Sequence, residues 1–266
     1  EALIVEQMVD GGWAEGAPAD YVASHALDLG QFTEFISATQ PDLVEPLGLA
    51  SDTPTRHKFL ARLQGEITRR GVVHMLRNGI DHLGLHVDLY YPAPDAANPK
   101  AAALFEANRF VVTRQVHYSV SNTGDAVDLV GFINGLPVFT FELKNNFTNQ
   151  TVEDAVQQYQ RDRDPREPLF AFGRTIAHFA LDDQRARFCT QLKGASSWFL
   201  PFDQGFKDGA GNPPNPDGVM TDYLWRQVLA PLSLAGIIEN YAPLRAELEA
   251  GGIEFTSDTD TETAVH

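Results

Sequence analysis

Residues 128–144 read DLVGFINGLPVFTFELK, and this stretch decides the fold. Two apolar runs, Leu129–Ile133 and Leu136–Phe141, flank Asn134-Gly135, a strong short-range hairpin signal. Asp128 opens the first predicted strand, and Glu142 and Lys144 close the second. Glu142 and Lys144 are two apart, so in a strand they share a face. A two-residue turn pairs Ile133 with Leu136 and therefore Asp128 with Phe141, which puts Asp128 on the face opposite Glu142. Convergence of both carboxylates needs a one-residue register shift. A three-residue loop Ile133-Asn134-Gly135 with a glycine bulge supplies it, as does a bulge nearer Asp128. One of these is expected, and a regular hairpin without a bulge counts against a shared site.

The residue types match one chemistry. Magnesium is a hard cation that takes oxygen ligands and keeps several waters, so two carboxylates can hold it while substrate phosphate completes the shell. Such an ion lowers the pKa of a bound water and offsets charge on phosphoryl oxygens. A lysine beside that water adds a compact positive charge. Asp128, Glu142 and Lys144 thus form a minimal set for phosphodiester hydrolysis, although a strand ending in Glu-Leu-Lys is more often a solvated edge.

Working outward, Phe110–Val120 alternates as a strand and Ser121–Asp125 is a loop. Val152–Arg161 reads as a helix started by Thr151, with Glu153 and Asp154 in its first turn. Leu169–Phe172, Thr175–Leu181 and Ala186–Gln191 read as strands, with Asp182-Asp183 between the last two. Thr55–Arg70 is a helix with an apolar face of Phe59, Leu60, Leu63 and Ile67 and a basic end at Arg69-Arg70. That pair complements the helix dipole, and it is also the best local candidate for touching DNA. Glu1–Asp10 is helical up to Gly11-Gly12. Tyr21 to about Gly48 reads as helix with loops, broken by Pro41 and Pro46. Gly84–Tyr91 reads as a strand, Pro92–Pro99 as a loop and Ala101–Ala107 as a short helix. Gly205–Gly218 is a long loop, Leu224–Leu229 and Leu234–Tyr241 are helical, and the tail after Gly251 is expected to be mobile. Consecutive strands with helices before and after give an α/β/α arrangement.

The chain of 266 residues is 43% hydrophobic, enough for one sizeable core. No apolar run reaches membrane-spanning length and the start lacks a basic-then-apolar signal. The single cysteine, Cys189, excludes an internal disulfide, reads as a core residue and agrees with a reducing cytoplasm. His178 sits among apolar residues, as a satisfied core histidine does, and none of the histidines shows metal-ligand spacing. The formal net charge of −16 disfavours a protein that grips DNA by its own surface, since phosphate contacts come from Lys and Arg. Neither a Gly-x-x-x-x-Gly-Lys-Ser/Thr phosphate loop nor Gly-x-Gly-x-x-Gly is present.

Several segments together resemble a known family. Asn108–Val112, Asp128–Val130, Phe132–Pro137 and Glu142–Asn145 look like the N-terminal endonuclease domain of the restriction subunit of type I restriction-modification enzymes. Arg163–Phe170, Ser197–Phe202 and Gly211–Pro216 extend the likeness. The resemblance implies a restriction-endonuclease-like PD-(D/E)XK α/β/α core with a mixed central sheet and added helices and strands. It implies an endonuclease domain over 1–250, with the core at about 55–200, a helical part at 1–54, a loop and helices at 201–250, and an acidic tail at 251–266. Asp128, Glu142 and Lys144 fall at the catalytic positions, with Asp128 and Glu142 on Mg²⁺, for which Mn²⁺ can substitute. Many members carry Gln-x-x-x-Tyr on the next helix. Tyr159 matches its tyrosine, but Ala155 stands at the glutamine position, with Gln157 and Gln158 close by. Tyr159, Gln158, Gln115 and Glu1 are the accessory candidates, Glu1 (or Glu6) as the acidic residue that such folds often place on their first helix. The implied partners are double-stranded DNA, the ATP-driven translocase region of the same subunit, and the methyltransferase and specificity subunits. ATP would act only through that translocase region, so the chain reads as the front portion of its subunit. Another nuclease of the same fold, for example in DNA repair, and a non-catalytic docking module are the alternatives.

Overall fold

A computed structural model describes residues 1–94 and 98–240. In chain order its strands and α-helices are α1 (Ala2–Asp10), β1 (Ala14–Glu15), β2 (Tyr21–Val22), β3 (Leu27–Asp28), α2 (Leu29–Thr39), α3 (Pro54–Arg70), α4 (Val72–Asn78), β4 (Ile80–His82), β5 (Leu85–Val87), α5 (Pro99–Glu106), β6 (Phe110–His117), β7 (Ala126–Ile133), β8 (Leu136–Leu143), α6 (Val152–Arg161), β9 (Ala177–Leu181), β10 (Ala186–Cys189), β11 (Leu200–Pro201) and α7 (Pro231–Glu239). A turn of π-helix, Leu224–Val228, precedes α7.

Seven strands form one mixed sheet in the order β1-β6-β7-β8-β9-β10-β11. The β6-β7-β8 meander is antiparallel, and α6 carries the chain across to β9, which runs parallel to β8. Parallel neighbours need such a crossover, because a tight turn only reverses the chain. The sheet is covered on both faces. Val112, Leu129, Ile133, Val138, Phe139 and Phe141 join a core closed by α1, α2, α3, α4 and α7. On the other face Val116, Tyr118, Val130 and Phe132 pack against Val152, Ala155, Val156 and Tyr159 of α6. This is the mixed α/β/α core expected of a restriction-endonuclease-like fold.

The central hairpin shows why the register shifts. Asn134 and Gly135 both have positive φ, 51° and 83°, as a two-residue type I′ turn requires. Ile133 pairs with Leu136 and Phe132 with Pro137, but Gly131 then pairs with Phe139, leaving Val138 as the extra residue of a bulge. From there Val130 faces Thr140 and Leu129 faces Phe141, so the next step sets Asp128 opposite Glu142. The three-residue loop does not form; the bulge nearer Asp128 does. Glycine is required here because a Cβ on residue 131 would lie 2.2 Å from the Phe139 ring, which covers the backbone.

Three sequence expectations fail. Leu169–Phe172 is not a strand; it lies in turns, with Leu169 and Phe170 buried as plugs against α6. Gly84–Tyr91 is not one strand either, since β4 and β5 form a separate two-stranded ribbon. The region from Tyr21 contains the small β2-β3 pair before α2, a break caused by the left-handed backbone at Ala26. Helix α4, beginning straight after Gly71, is not evident from the sequence pattern. Tyr241 and the tail after Gly251 fall outside the described residues.

Candidate active site

Thr140, Glu142 and Lys144 alternate onto the sheet face beneath α6. The direction is fixed by the Thr140 hydroxyl, which bonds the Tyr159 hydroxyl of α6 at 2.7 Å. Lys144 lies one residue past β8, yet its N–H still bonds Leu181 O at 2.8 Å and keeps it in register. Its Nζ donates to Gln158 Oε1 at 2.5 Å. Ala155, at the position where many relatives carry the glutamine, is buried in the core. One turn further along the helix, Gln158 meets the lysine instead.

Asp128 is fixed from two sides. Its Oδ2 accepts the Leu143 N–H at 2.7 Å, and its Oδ1 accepts Gln115 Nε2 at 3.2 Å. The same Gln115 nitrogen reaches Glu1 Oε1 at 2.7 Å. Gln115 can bridge the two carboxylates because the backbone kinks there: its φ is +50°, while Arg114–Leu129 and Val116–Val127 pair normally on either side. A non-glycine residue in that region is strained and persists where its surroundings hold it. Glu1, at the start of α1, thus adjoins the site. Glu6 instead lines a shallow surface hollow with Glu15 and Arg114.

Glu142 is 0% exposed and Arg163, on the turn after α6, is 7% exposed. Arg163 Nε donates to Glu142 Oε1 at 2.6 Å. Its remaining donors reach Tyr118 Oη at 3.3 Å and Ala126 O at 2.8 Å, and its guanidinium sits 5.3 Å from the Tyr118 ring centre. Burial pushes the Glu142 carboxyl up to about 7, opposed by Arg163 and Lys144 and reinforced by the charge of Asp128. Arg163 is held protonated by Glu142 against its own burial. Sequence reasoning missed Arg163 as a site residue. It sits in an alternating charged run, Arg161-Asp162-Arg163-Asp164, that reads as solvated, and its partners are all more than twenty residues away.

Glu142 Oε2 is buried and has no hydrogen-bond partner. An unpaired carboxylate oxygen in a dry site costs free energy unless something binds it. It lies on the face shared with Asp128, and two such hard oxygens suit a magnesium-like ion. Among the described residues no group of three or more His, Cys, Asp and Glu is placed to hold an ion. The rest of the shell would therefore come from water and substrate. The donor set fits the ion.

Tyr159 and His178 serve the core beside the site. His178 Nδ1 bonds Thr140 at 2.8 Å and its Nε2 lies 3.3 Å from Thr175. Burial holds the imidazole near 3, and so neutral. Cys189 is also buried, its thiol pushed up to about 11. Gln157 and Arg161 are exposed on α6.

A mixed sheet with a bulged hairpin, two carboxylates and a lysine under a crossover helix defines a restriction-endonuclease-like protein. A family model for the type I restriction enzyme R protein N terminus matches residues 59–197, just over half of the chain, and the chain belongs to that family. The matched span holds Gln115, Asp128, Glu142, Lys144, Gln158 and Arg163. A separate likeness is short: 31 residues are 84% identical to glutamine–fructose-6-phosphate aminotransferase of Mycolicibacterium smegmatis, covering 12% of this chain and 5% of that enzyme. The corresponding enzyme of Mycolicibacterium paratuberculosis is 81% identical over 31 residues. The chain thus spans about a twentieth of these enzymes, and the likeness is confined to that segment. Among the described residues no helix is long and apolar enough to cross a membrane.

Proposed function

We propose that this N-terminal region of a type I restriction R subunit is a metal-dependent DNA endonuclease centred on Asp128, Glu142 and Lys144. The observation that carries the reading is the bulge at Val138, which sets the two carboxylates across from each other, with Glu142 Oε2 buried and without a partner beside them. Asp128 and Glu142 would hold Mg²⁺. The ion, when bound, supplies Lewis acidity toward the scissile phosphate and a water acidified toward neutral pH.

The chain's own groups do the rest. Leu143 N–H and Gln115 hold the Asp128 carboxylate in one orientation. Arg163 anchors Glu142 by one oxygen and leaves the other available. Gln158 engages one Lys144 proton, so the remaining ammonium protons are aimed rather than free to rotate. They can stabilise the attacking hydroxide or the charge building on phosphorus oxygens. Partner subunits and the translocase region, carrying any ATP dependence, would present the DNA in a larger complex, since this chain carries net negative charge.

The test is plasmid cleavage by the assembled enzyme with Mg²⁺. Lys144→Ala and Asp128→Asn are each expected to lower cleavage by about a hundredfold or more, the scale of losing one charge-stabilising group. Wild-type cleavage by either variant would instead mark the domain as a docking module.

A further inference from the structure

This acidic chain carries a local excess of positive charge on two consecutive helices. Residues 54–78, spanning α3 and α4, hold six Lys and Arg against a single Glu, a net of +5 in a chain of −16. The helix face explains how they gather. Phe59, Leu60, Leu63 and Ile67 are buried, so Arg62, Glu66, Arg69 and Arg70, at helical spacing, share the outer side. The chain breaks at Gly71, whose φ is +84°, and α4 turns His74 and Asn78 toward the same place. The result is a hollow of about 310 Å³ lined by Arg62, Arg69, Arg70, His74 and Asn78 together with the carboxylates of Glu66 and Asp81.

The arginines are preset. Glu66 Oε2 accepts from Arg69 Nη2 at 2.5 Å and from Arg70 Nε at 3.0 Å, and Arg62 Nε donates to Asp81 O at 2.8 Å. Arg62 and Arg69 are each fixed through one nitrogen and Arg70 through two, its Nη1 lying 3.3 Å from His74 Nε2, so each guanidinium keeps other N–H donors for the hollow. A planar fork of this kind matches phosphate oxygens. Two carboxylates, Glu66 and Asp81, stand against three arginines in the lining, and the Asp81 carboxylate is also turned to His86 at 2.8 Å.

The hollow is separate from the candidate active site. Helix α3 packs in the core on the sheet face away from α6. Just past its end, the first residue of α4 ties the chain down, Val72 N–H donating to Gly173 O, ahead of β9 and so toward the Asn134-Gly135 turn. Glu142 stands six residues along β8 from Leu136, about 20 Å at the rise of a strand.

We propose that this hollow binds the phosphodiester backbone of duplex DNA, at a stretch other than the one being cut. The proposal rests on DNA as the substrate and goes beyond the cleavage chemistry. It is tested with the full chain and a short fluorescein-labelled duplex by anisotropy in EDTA over a series of salt concentrations. Without metal, the readout is independent of cleavage and of ion binding at Asp128 and Glu142. The triple variant Arg62→Gln/Arg69→Gln/Arg70→Gln should bind at least tenfold more weakly at about 50 mM salt, and the log–log salt slope should shrink by about 0.9 for each phosphate no longer neutralised. Arg62→Gln alone leaves both Glu66 pairs intact, guards against a folding defect, and should reduce the slope by about one such step. Folded arginine variants with wild-type affinity and slope would overturn the proposal. So would a wild-type chain without salt-dependent duplex binding, or inorganic phosphate displacing the duplex far better than chloride at equal ionic strength, which would mark a small-anion site.

Discussion

Removing the Glu142 side chain should damage the fold as well as any chemistry. Glu142 and Arg163 are both buried and joined at 2.6 Å. Breaking such a pair from one side costs about 3–5 kcal/mol, because the remaining charge stays buried without its partner. Arg163 would keep Ala126 O and the Tyr118 hydroxyl, so Glu142→Leu is placed at the lower end, about 3 kcal/mol. Arg163→Met leaves a carboxyl that burial already pushes to about 7. It can take up a proton, so this variant should cost less at pH 6 than at pH 8. Replacing both residues by apolar ones removes both orphaned groups, and the double variant should lie within about 1 kcal/mol of wild type. Urea denaturation of the four proteins closes a double-mutant cycle, with an expected coupling of at least about 2 kcal/mol. Single variants costing under about 1 kcal/mol, or effects that simply add, would refute a desolvated ion pair at this position.

Gly131→Ala would drive a methyl into the Phe139 ring; an unfolding loss of about 1–3 kcal/mol is expected from this overpacking, with weaker metal binding if the bulge relaxes. Asp154→Ala removes the carboxylate that accepts the Thr151 N–H at 2.7 Å, and should cost about 1 kcal/mol in urea melts. Burial raises Glu142 to about 7 and Asp28 to about 6 from the ordinary carboxylate range. The folded state therefore holds protons that the unfolded chain has released, and the contribution of these groups to stability falls as pH rises from about 4 to 7. Asp28→Asn, which keeps a side-chain oxygen for the Gln31 N–H, should flatten that decline in denaturation curves recorded across this range.

Much of this arrangement is legible in sequence because it is local. Asn134-Gly135 specifies its own turn, Thr151 with Asp154 marks the start of α6, and the spacing of Phe59, Leu60, Leu63 and Ile67 fixes the inner face of α3. The requirement for a bulge follows from parity alone. Its position at Val138 does not, because it depends on the Phe139 ring lying over Gly131, a contact between strands. Leu169 and Phe170 mislead for a related reason: a short buried apolar run looks the same whether it is a strand or a plug. Arg163 is illegible from its own surroundings, since only the fold shows that its neighbours Asp162 and Asp164 are not its partners. Gln158 is among the sequence candidates, but its pairing with Lys144 depends on the helix phase that the crossover sets.

Calorimetric titration with Mn²⁺, an ion suited to the same oxygen ligands as Mg²⁺, tests the central claim most directly. Asp128→Asn is the preferred variant, because it leaves the buried Glu142–Arg163 pair intact. The wild type should bind one or two ions, if necessary with a short duplex present to complete the shell, and the variant should bind at least about tenfold more weakly. An Asp128→Asn protein that titrates like wild type, or a wild type that binds no ion even with duplex present, would contradict the account.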